Sequence, residues 1–512
     1  MSASDADSYK QGQSSVGQGL GESENSGDPF NESHVVEYRL YKRRWTGLLG
    51  VCLLNFVAGA AWFWFASIAI PGMFASHKAL SSLNYRGMST VSEDFGISLG
   101  QVNWLANCVN VAFLPVSLVI PSVCSRYGLR ISCFIGTIVT LVGAWVRYAG
   151  TAPSLSPNGK FGLLLFGQIL LGIGQPWFLI IGPKYSEVWF DLKGRTTATM
   201  LVSISNPIGT SFGQIVAPYC PSVRVSILIL AIMTTGLAPS VLLIYSAPPT
   251  PPTFSGSHPS PPPIQTLRAF LGRSRSGEIT MTPRERLDSV ILLLTFGLMV
   301  AALNTLGIIL AQAPYGYTPE DAGIIGGVYV LAGVVGAVVI MPIFDRYLTH
   351  HLALASKVIT TMLAACFISL IWAVREDNAP AIYVIVVVLG ISCFTLLPIT
   401  LEIACEITRS PEASSAILWL LAYLLTTIFI PSKLARVLEA PTVPTLALLV
   451  VDHMRDDSPT ANPPSNMRRG LIFEAGIAAS CVVIILGLRG KQSRRELDVQ
   501  KQQEAARRGV II

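Results

Sequence analysis

The chain is 512 residues long, 51% hydrophobic and only 13% charged, with a net charge of +6. A soluble domain carries about 25% charged residues, so this composition excludes a soluble enzyme and points to an all-α polytopic membrane protein. Nothing resembles the alternating strands of an outer-membrane barrel, and nothing calls for nucleic acid.

Residues 1–42 come first; they are polar, rich in Ser, Gly, Asp and Glu, and read as a disordered cytoplasmic tail with no cleavable signal peptide. Stretches approaching the roughly 20 apolar residues that cross a bilayer then lie near 45–70, 102–124, 130–149, 161–182, 196–217 and 225–247. Six more lie near 289–311, 323–344, 355–375, 381–407, 414–437 and 470–488. The pattern predicts twelve transmembrane helices in two six-helix halves, 43–247 and 289–488. A cytoplasmic linker, 248–288, joins them; it is Pro-rich at its start, and its IQTLRAFLGR stretch predicts a short amphipathic helix. A cytoplasmic tail, 489–512, follows. Most of the 36 Lys and Arg fall on the segments this topology places in the cytoplasm, which orients the protein with both termini inside. It is thus an integral multi-pass protein of the plasma membrane or an organelle membrane. The outer loops 72–100 and 438–469 are long, and such loops are functional or disordered.

Two six-span halves joined by a long cytoplasmic loop are the major facilitator architecture. Faint internal symmetry supports it: Pro183 with Glu187 and Pro398 with Glu402 repeat one Pro-x-x-x-Glu spacing at equivalent places. The loops CSRYGLR and IFDRYLTHH, with Arg126, Arg130, Asp345 and Arg346, occupy equivalent places too.

Glu402 and Glu406 are four residues apart and share one helix face. A span begun at Ala381 uses up its hydrocarbon near residue 402, which sets the pair at the cytoplasmic edge, with Glu187 at the matching place in the first half. These residues, with Arg126, Arg130, Asp345 and Arg346, read as a cytoplasmic gate. The expected ion-pair partners are Arg346 and Arg409 in the second half and Arg126 and Arg130 in the first.

Several polar and aromatic side chains lie mid-span. Trp62 and Trp64 sit away from the headgroup level where tryptophan usually lies; Trp62 is a pocket candidate because aromatic faces hold organic cations, and Trp64 reads as packing. Asn103, Asn107 and Asn110 form one stripe, with Asn107 on the solute path and its neighbours cross-linking helices. Gln175-Pro176 and Asn206-Pro207 mark kinks that either bend helices or build a site. Asn304, and Trp419 with Tyr423 at i,i+4, are similar candidates. Gly209, Gly213, Gly323, Gly327, Gly333 and Gly336 read as helix packing. Arg147 either snorkels at the outer end of its span or attracts an anion. There is no CxxC, no His/Cys cluster and no Walker lysine motif, so no metal or cofactor is expected.

RRW before the first span, GAWVRY, FGQILLGIGQ, SEVWF, GTSFGQIVAP and LPITLEIACEIT, in this order, give a more specific likeness. With them the chain resembles the feline leukaemia virus subgroup C receptor-related family of major facilitator transporters. The resemblance implies carriage of a small organic solute, the family including carriers for haem, choline and ethanolamine, and a pyridoxine-like vitamin. It also implies an aromatic cage, with Trp62 and Gln175 on family positions. The family's span-seven tyrosine falls on Asn304 and its span-eleven glutamine on Tyr423. Either the cage is rearranged, with Tyr423 supplying a ring, or the substrate differs.

The reading is therefore a transporter working by alternating access between pocket residues Trp62, Asn107, Gln175, Asn206, Asn304 and Tyr423 and the gate. With no ionisable residue deep in the pathway it is facilitative. The alternative is a transport-dead receptor or sensor on the same scaffold. No oligomeric state follows from the sequence.

Overall fold

The computed structural model describes residues 38–69, 94–217, 220–257, 260–278, 280–312, 319–347, 351–375, 378–429 and 468–507. The outer loops 72–100 and 438–469 fall mostly outside them, as does the N-terminal tail to residue 37. The side chains of Asn103, Asn107, Asn304 and Asp345, and the surroundings of Gly323, also lie outside what is described.

The elements are helices throughout: α1 Arg43–Ala69, α2 Leu99–Ala149, α3 Pro157–Trp189, α4 Arg195–Val216, and α5 Val223–Leu237 with a 3-10 turn Ala238–Leu243. The linker carries α6 Phe254–Ser257 and α7 Pro263–Phe270. Then follow α8 Pro283–Gln312, α9 Pro319–Tyr347, α10 Leu352–Ala373, α11 Ala379–Thr408, α12 Pro411–Phe429, α13 Arg468–Leu486 and α14 Ser493–Arg507. Among the described residues, eight helical stretches are long and apolar enough to cross a membrane.

Local chemistry sets the helix ends. Ser98 and Gln101 form a reciprocal capping box at the start of α2, satisfying amides that the first turn leaves without partners. Ser156 caps α3 with Pro157 directly behind it, where the missing N–H costs nothing. α2 breaks at Gly128, whose φ of 82° and ψ of 173° leave the helical region; an L side chain tolerates that conformation poorly. α11 ends on Arg409 in the left-handed conformation, φ 57°, and Pro411 starts the next helix.

Small residues set how closely the helices approach. A Cβ on Gly209 would collide with the Phe56 carbonyl, and one on Gly59 with the Asn206 carbonyl, so α1 and α4 touch backbone to backbone. Gly333 and Gly336 receive Phe394 and Ile391 of α11 in the same way. Gly327 is different: nothing lies within 4 Å of a Cβ placed there, so its expected packing role is not realised among the described residues. Elsewhere α2 packs on α3, α8 on α12 and α10 on α13, while α2 meets α12 and α4 meets α9.

Among the described residues, parts of both expected tails contact the rest of the chain: residues 38–42 and 493–507. Tyr38 is buried, Arg39 N–H bonds the Pro251 carbonyl, and Tyr41 shares a 2.8 Å hydrogen bond with Thr250. Residues 38–42 are thus held against the linker. In the linker, α7 forms over the expected stretch, with Ile264 and Leu267 exposed and Thr266 and Ala269 buried. Past α13, Gly490 turns the chain with φ 61°, and the tail folds back as α14.

Candidate functional site

Two clusters stand out, an aromatic one inside the bundle and an ionic one at the end that bears α14. The aromatic cluster is centred on Tyr423 of α12. Its ring stacks on Phe113 of α2 at 3.9 Å between centroids and meets Trp62 of α1 edge-on at 6.0 Å. Trp419 lies one turn away at 6.1 Å and packs edge-on against Phe296 of α8 at 5.1 Å. Amides fix the rings: Trp62 Nε1 donates to Asn110 Oδ1 at 3.1 Å, and Gln175 Nε2 of α3 donates to Tyr423 Oη at 2.9 Å. Gln175 Oε1 and Trp419 Nε1 are buried and make no hydrogen bond among the described residues. A buried polar atom without a partner costs about 1–3 kcal/mol, so this acceptor and this donor are available to a polar ligand lodged among the rings.

Trp62, Gln175 and Tyr423 therefore come together as expected. Asn206 does not join them. Its amide donates to Asn55 Oδ1 at 3.2 Å and to the Asn55 carbonyl at 3.3 Å, while Asn55 donates to the Val202 carbonyl at 2.7 Å. It staples α4 to α1 where Gly59 and Gly209 let the backbones touch. Trp64 is a packing residue, buried with its Nε1 on Ser226 Oγ at 2.9 Å. Arg147 does not snorkel; it is fully buried and donates to Gln168 Oε1 at 2.8 Å. Phe113 and Phe296 are not singled out by the sequence, because a phenylalanine facing a site reads like one facing lipid.

The ionic cluster gathers the carboxylates foreseen for the gate around a different cation. Arg494 of α14 is 3% exposed and reaches Glu402 Oε1 at 2.7 Å, Glu187 Oε1 at 3.0 Å and Glu406 Oε1 at 2.9 Å. Its Nε adds a second bond to Glu406 at 3.0 Å, and the Arg495 N–H binds Glu406 Oε2 at 2.8 Å. Burial alone would lower the Arg494 pKa, but Glu406, Glu402 and Glu187 together outweigh it and raise it well above the usual arginine value. Lys184 also bonds Glu187, at 2.8 Å, and reaches Ser260 Oγ at 2.6 Å. One turn along α14, the buried Asp498 lies 3.5 Å from the buried Arg195 of α4 and accepts the Ser255 N–H at 2.7 Å and the Ser255 hydroxyl.

The expected cations lie elsewhere. Arg409 pairs with Glu285 at 3.8 Å. Arg126 and Arg130 are exposed, Arg126 against the Tyr127 ring and Arg130 against Phe134 and Tyr245; Arg346 is exposed as well. The fold-back at Gly490 brings a tail residue into the space between α3 and α11.

A bundle of apolar helices around an aromatic site, closed at one end by buried ion pairs, defines a membrane transporter. The Major Facilitator Superfamily model matches residues 51–431, and the chain belongs to that superfamily. It is 27% identical over 400 residues to solute carrier family 49 member A3 of Xenopus tropicalis, covering 74% of this chain and 76% of that one. It is 23% identical over 423 residues to the choline/ethanolamine transporter FLVCR2 of Rattus norvegicus, covering 79% and 75%. Among solved structures, the human organic anion transporter MFSD10 (TETRAN) matches with a TM-score of 0.57 at 12% identity, covering 86% of this chain and 99% of that one. The protein is an integral, multi-pass transporter of a small solute and not an enzyme.

Proposed function

We propose that this transporter carries a small organic cation of the choline or ethanolamine class by facilitated diffusion. The observation that carries the reading is the cluster of Trp62, Phe113, Trp419 and Tyr423 with amides from Asn110 and Gln175. Aromatic faces hold an ammonium head, and Gln175 Oε1 is an acceptor for a hydroxyl or an amine. A haem-like dianion needs cations, and none of these side chains carries charge; a pyridoxine-like ring is neutral and suits the rings less than an ammonium does. Asn107 and Asn304 belong to the same pocket on this reading.

Counting the break at Gly128 as two spans and adding α4, α9 and α12 to the apolar stretches brings the helices to twelve, in two halves of six. The end bearing α14, the linker and the loops of Arg126, Arg130, Asp345 and Arg346 is then cytoplasmic, in keeping with its basic residues. Glu187, Glu402 and Glu406 form the gate there. The halves rock around the aromatic cluster, and the buried ion pairs hold the cytoplasmic side shut while the other side opens.

Uptake of labelled choline, ethanolamine, pyridoxine and haem into proteoliposomes tests the reading. Choline or ethanolamine uptake that Trp62→Ala abolishes supports it; failure of both to enter sinks it. A marked acceleration by an imposed pH gradient would overturn the facilitative mechanism.

A further inference from the structure

The C-terminal helix lies outside the membrane bundle, yet its bonds join elements that alternating access must separate. Arg494 ties α14 to Glu187 of α3 on one side and to Glu402 and Glu406 of α11 on the other. The helix itself is bonded on both sides, and the turn before it on one. On the α11 side, Glu406 alone accepts Arg494 Nε, Arg494 Nη2 and the Arg495 N–H. The turn before α14 is fastened to α8 as well, where Asp288 accepts the Arg489 and Gly490 amides at 3.2 and 3.1 Å. A Cβ on Gly490 would lie 2.8 Å from the Ala353 Cβ of α10, so the turn is pressed against that helix too. On the other side stand one Arg494 bond to Glu187, two from Arg195 to Asp498 at 3.5 Å, the linker's bonds from Ser255 to Asp498, and Lys501 Nζ 5.9 Å from the Phe254 ring centroid.

We propose that α14 is a working part of the transporter, a latch that stays with α8, α10 and α11 and lets go of α3, α4 and the linker once in each cycle. Arg494 is its positioning residue. It is always charged and nearly free of water, so it links Glu187 to Glu402 and Glu406 only while the two sides are together. When they part, Glu187 keeps Lys184 as a partner and Arg494 keeps Glu402 and Glu406. Of the described buried charges at this end, only Arg195 and Asp498 lose their ionic partner when the sides part, which limits the cost that makes breaking such pairs expensive. The latch rests on these contacts and on the transporter class, and not on the identity of the solute.

The native cysteines supply the test. Cys124 of α2 is buried at this end and Cys481 of α13 is buried in another layer. Full-length protein in nanodiscs, where both faces are accessible, is treated with a small thiol reagent, and modification of each cysteine is timed by mass spectrometry. Hydrogen exchange over residues 493–507 is followed in parallel. Glu187→Gln is expected to speed Cys124 modification several-fold and leave the protection of α14 intact. Glu406→Gln is expected to speed it and also strip that protection. Arg494→Gln should behave like Glu406→Gln, with Arg494→Lys recovering much of the slow rate. Unchanged Cys124 modification in Arg494→Gln overturns the proposal. So does an equal rise at Cys481, which marks general loosening, and so does loss of α14 protection in Glu187→Gln, which places the anchor on the wrong side.

Discussion

Arg494 and Glu187 meet at 3.0 Å across 307 residues of chain. One comes from the last helix and the other from the end of α3, and both side chains are 3% exposed. A buried guanidinium set among three carboxylates is costly to undo one partner at a time, and on the latch proposed above this contact governs how readily that end of the bundle opens.

The carboxylates around Arg494 raise its pKa well above the usual arginine value. A raised pKa contributes stability that is fully present below the unfolded value and lost only as pH rises through the folded one. The loss therefore falls far above neutrality. The thermal stability of the wild type should carry no loss from this arginine between about pH 6 and about pH 9. A loss toward the alkaline end that Arg494→Gln does not share would show that another cation holds the carboxylates.

Tyr423→Phe keeps the ring stack on Phe113 and removes the hydroxyl that accepts Gln175 Nε2. It leaves a buried amide unpaired, so stability should fall by about 1–3 kcal/mol. A Tyr423→Ala variant loses the ring as well and should raise the KM for an ammonium substrate far more than Tyr423→Phe does. Equal KM values in the two variants would remove the ring from substrate binding.

Asn206→Ala separates a cross-link from a pocket residue. Its bonds to Asn55 are buried, so thermal stability should drop by a few kcal/mol at most while KM stays near wild type. A large KM change at unaltered stability would return Asn206 to the pocket.

Gly209→Ala places a methyl group against the Phe56 carbonyl. Overpacking of this kind costs about 1–3 kcal/mol, and expression and melting temperature should both fall. Gly327→Ala, with open space around it, serves as the comparison and should be close to neutral. Equal melting temperatures in the two variants would show that α1 and α4 can move apart freely.

The aromatic site is partly legible in the sequence, because Trp62, Gln175 and Tyr423 are conspicuous mid-span, where tryptophan and amides carry a cost. Phe113 and Phe296 are not, since apolar rings belong in a lipid-facing helix whether or not they line a site. Asn206 is only half legible for a related reason: an amide beside a proline signals a special place in a span but does not say which neighbour it serves. The close approach at Gly59 and Gly209 settles that, by bringing Asn55 within reach.

By itself the sequence determined the bilayer setting, the helices and the shared face of Glu402 and Glu406, because hydropathy and helical spacing are properties of neighbours along the chain. It also located Glu187 as their counterpart through a repeated spacing. The cation that joins the three was decided only by the tertiary structure. Arg494 stands in a basic cluster that reads as an orientation signal, and its charge and polarity match those of Arg489 and Arg495. Ion pairing depends on distance in space, and that distance is set by the turn at Gly490, which folds α14 back onto α11 and across to α3.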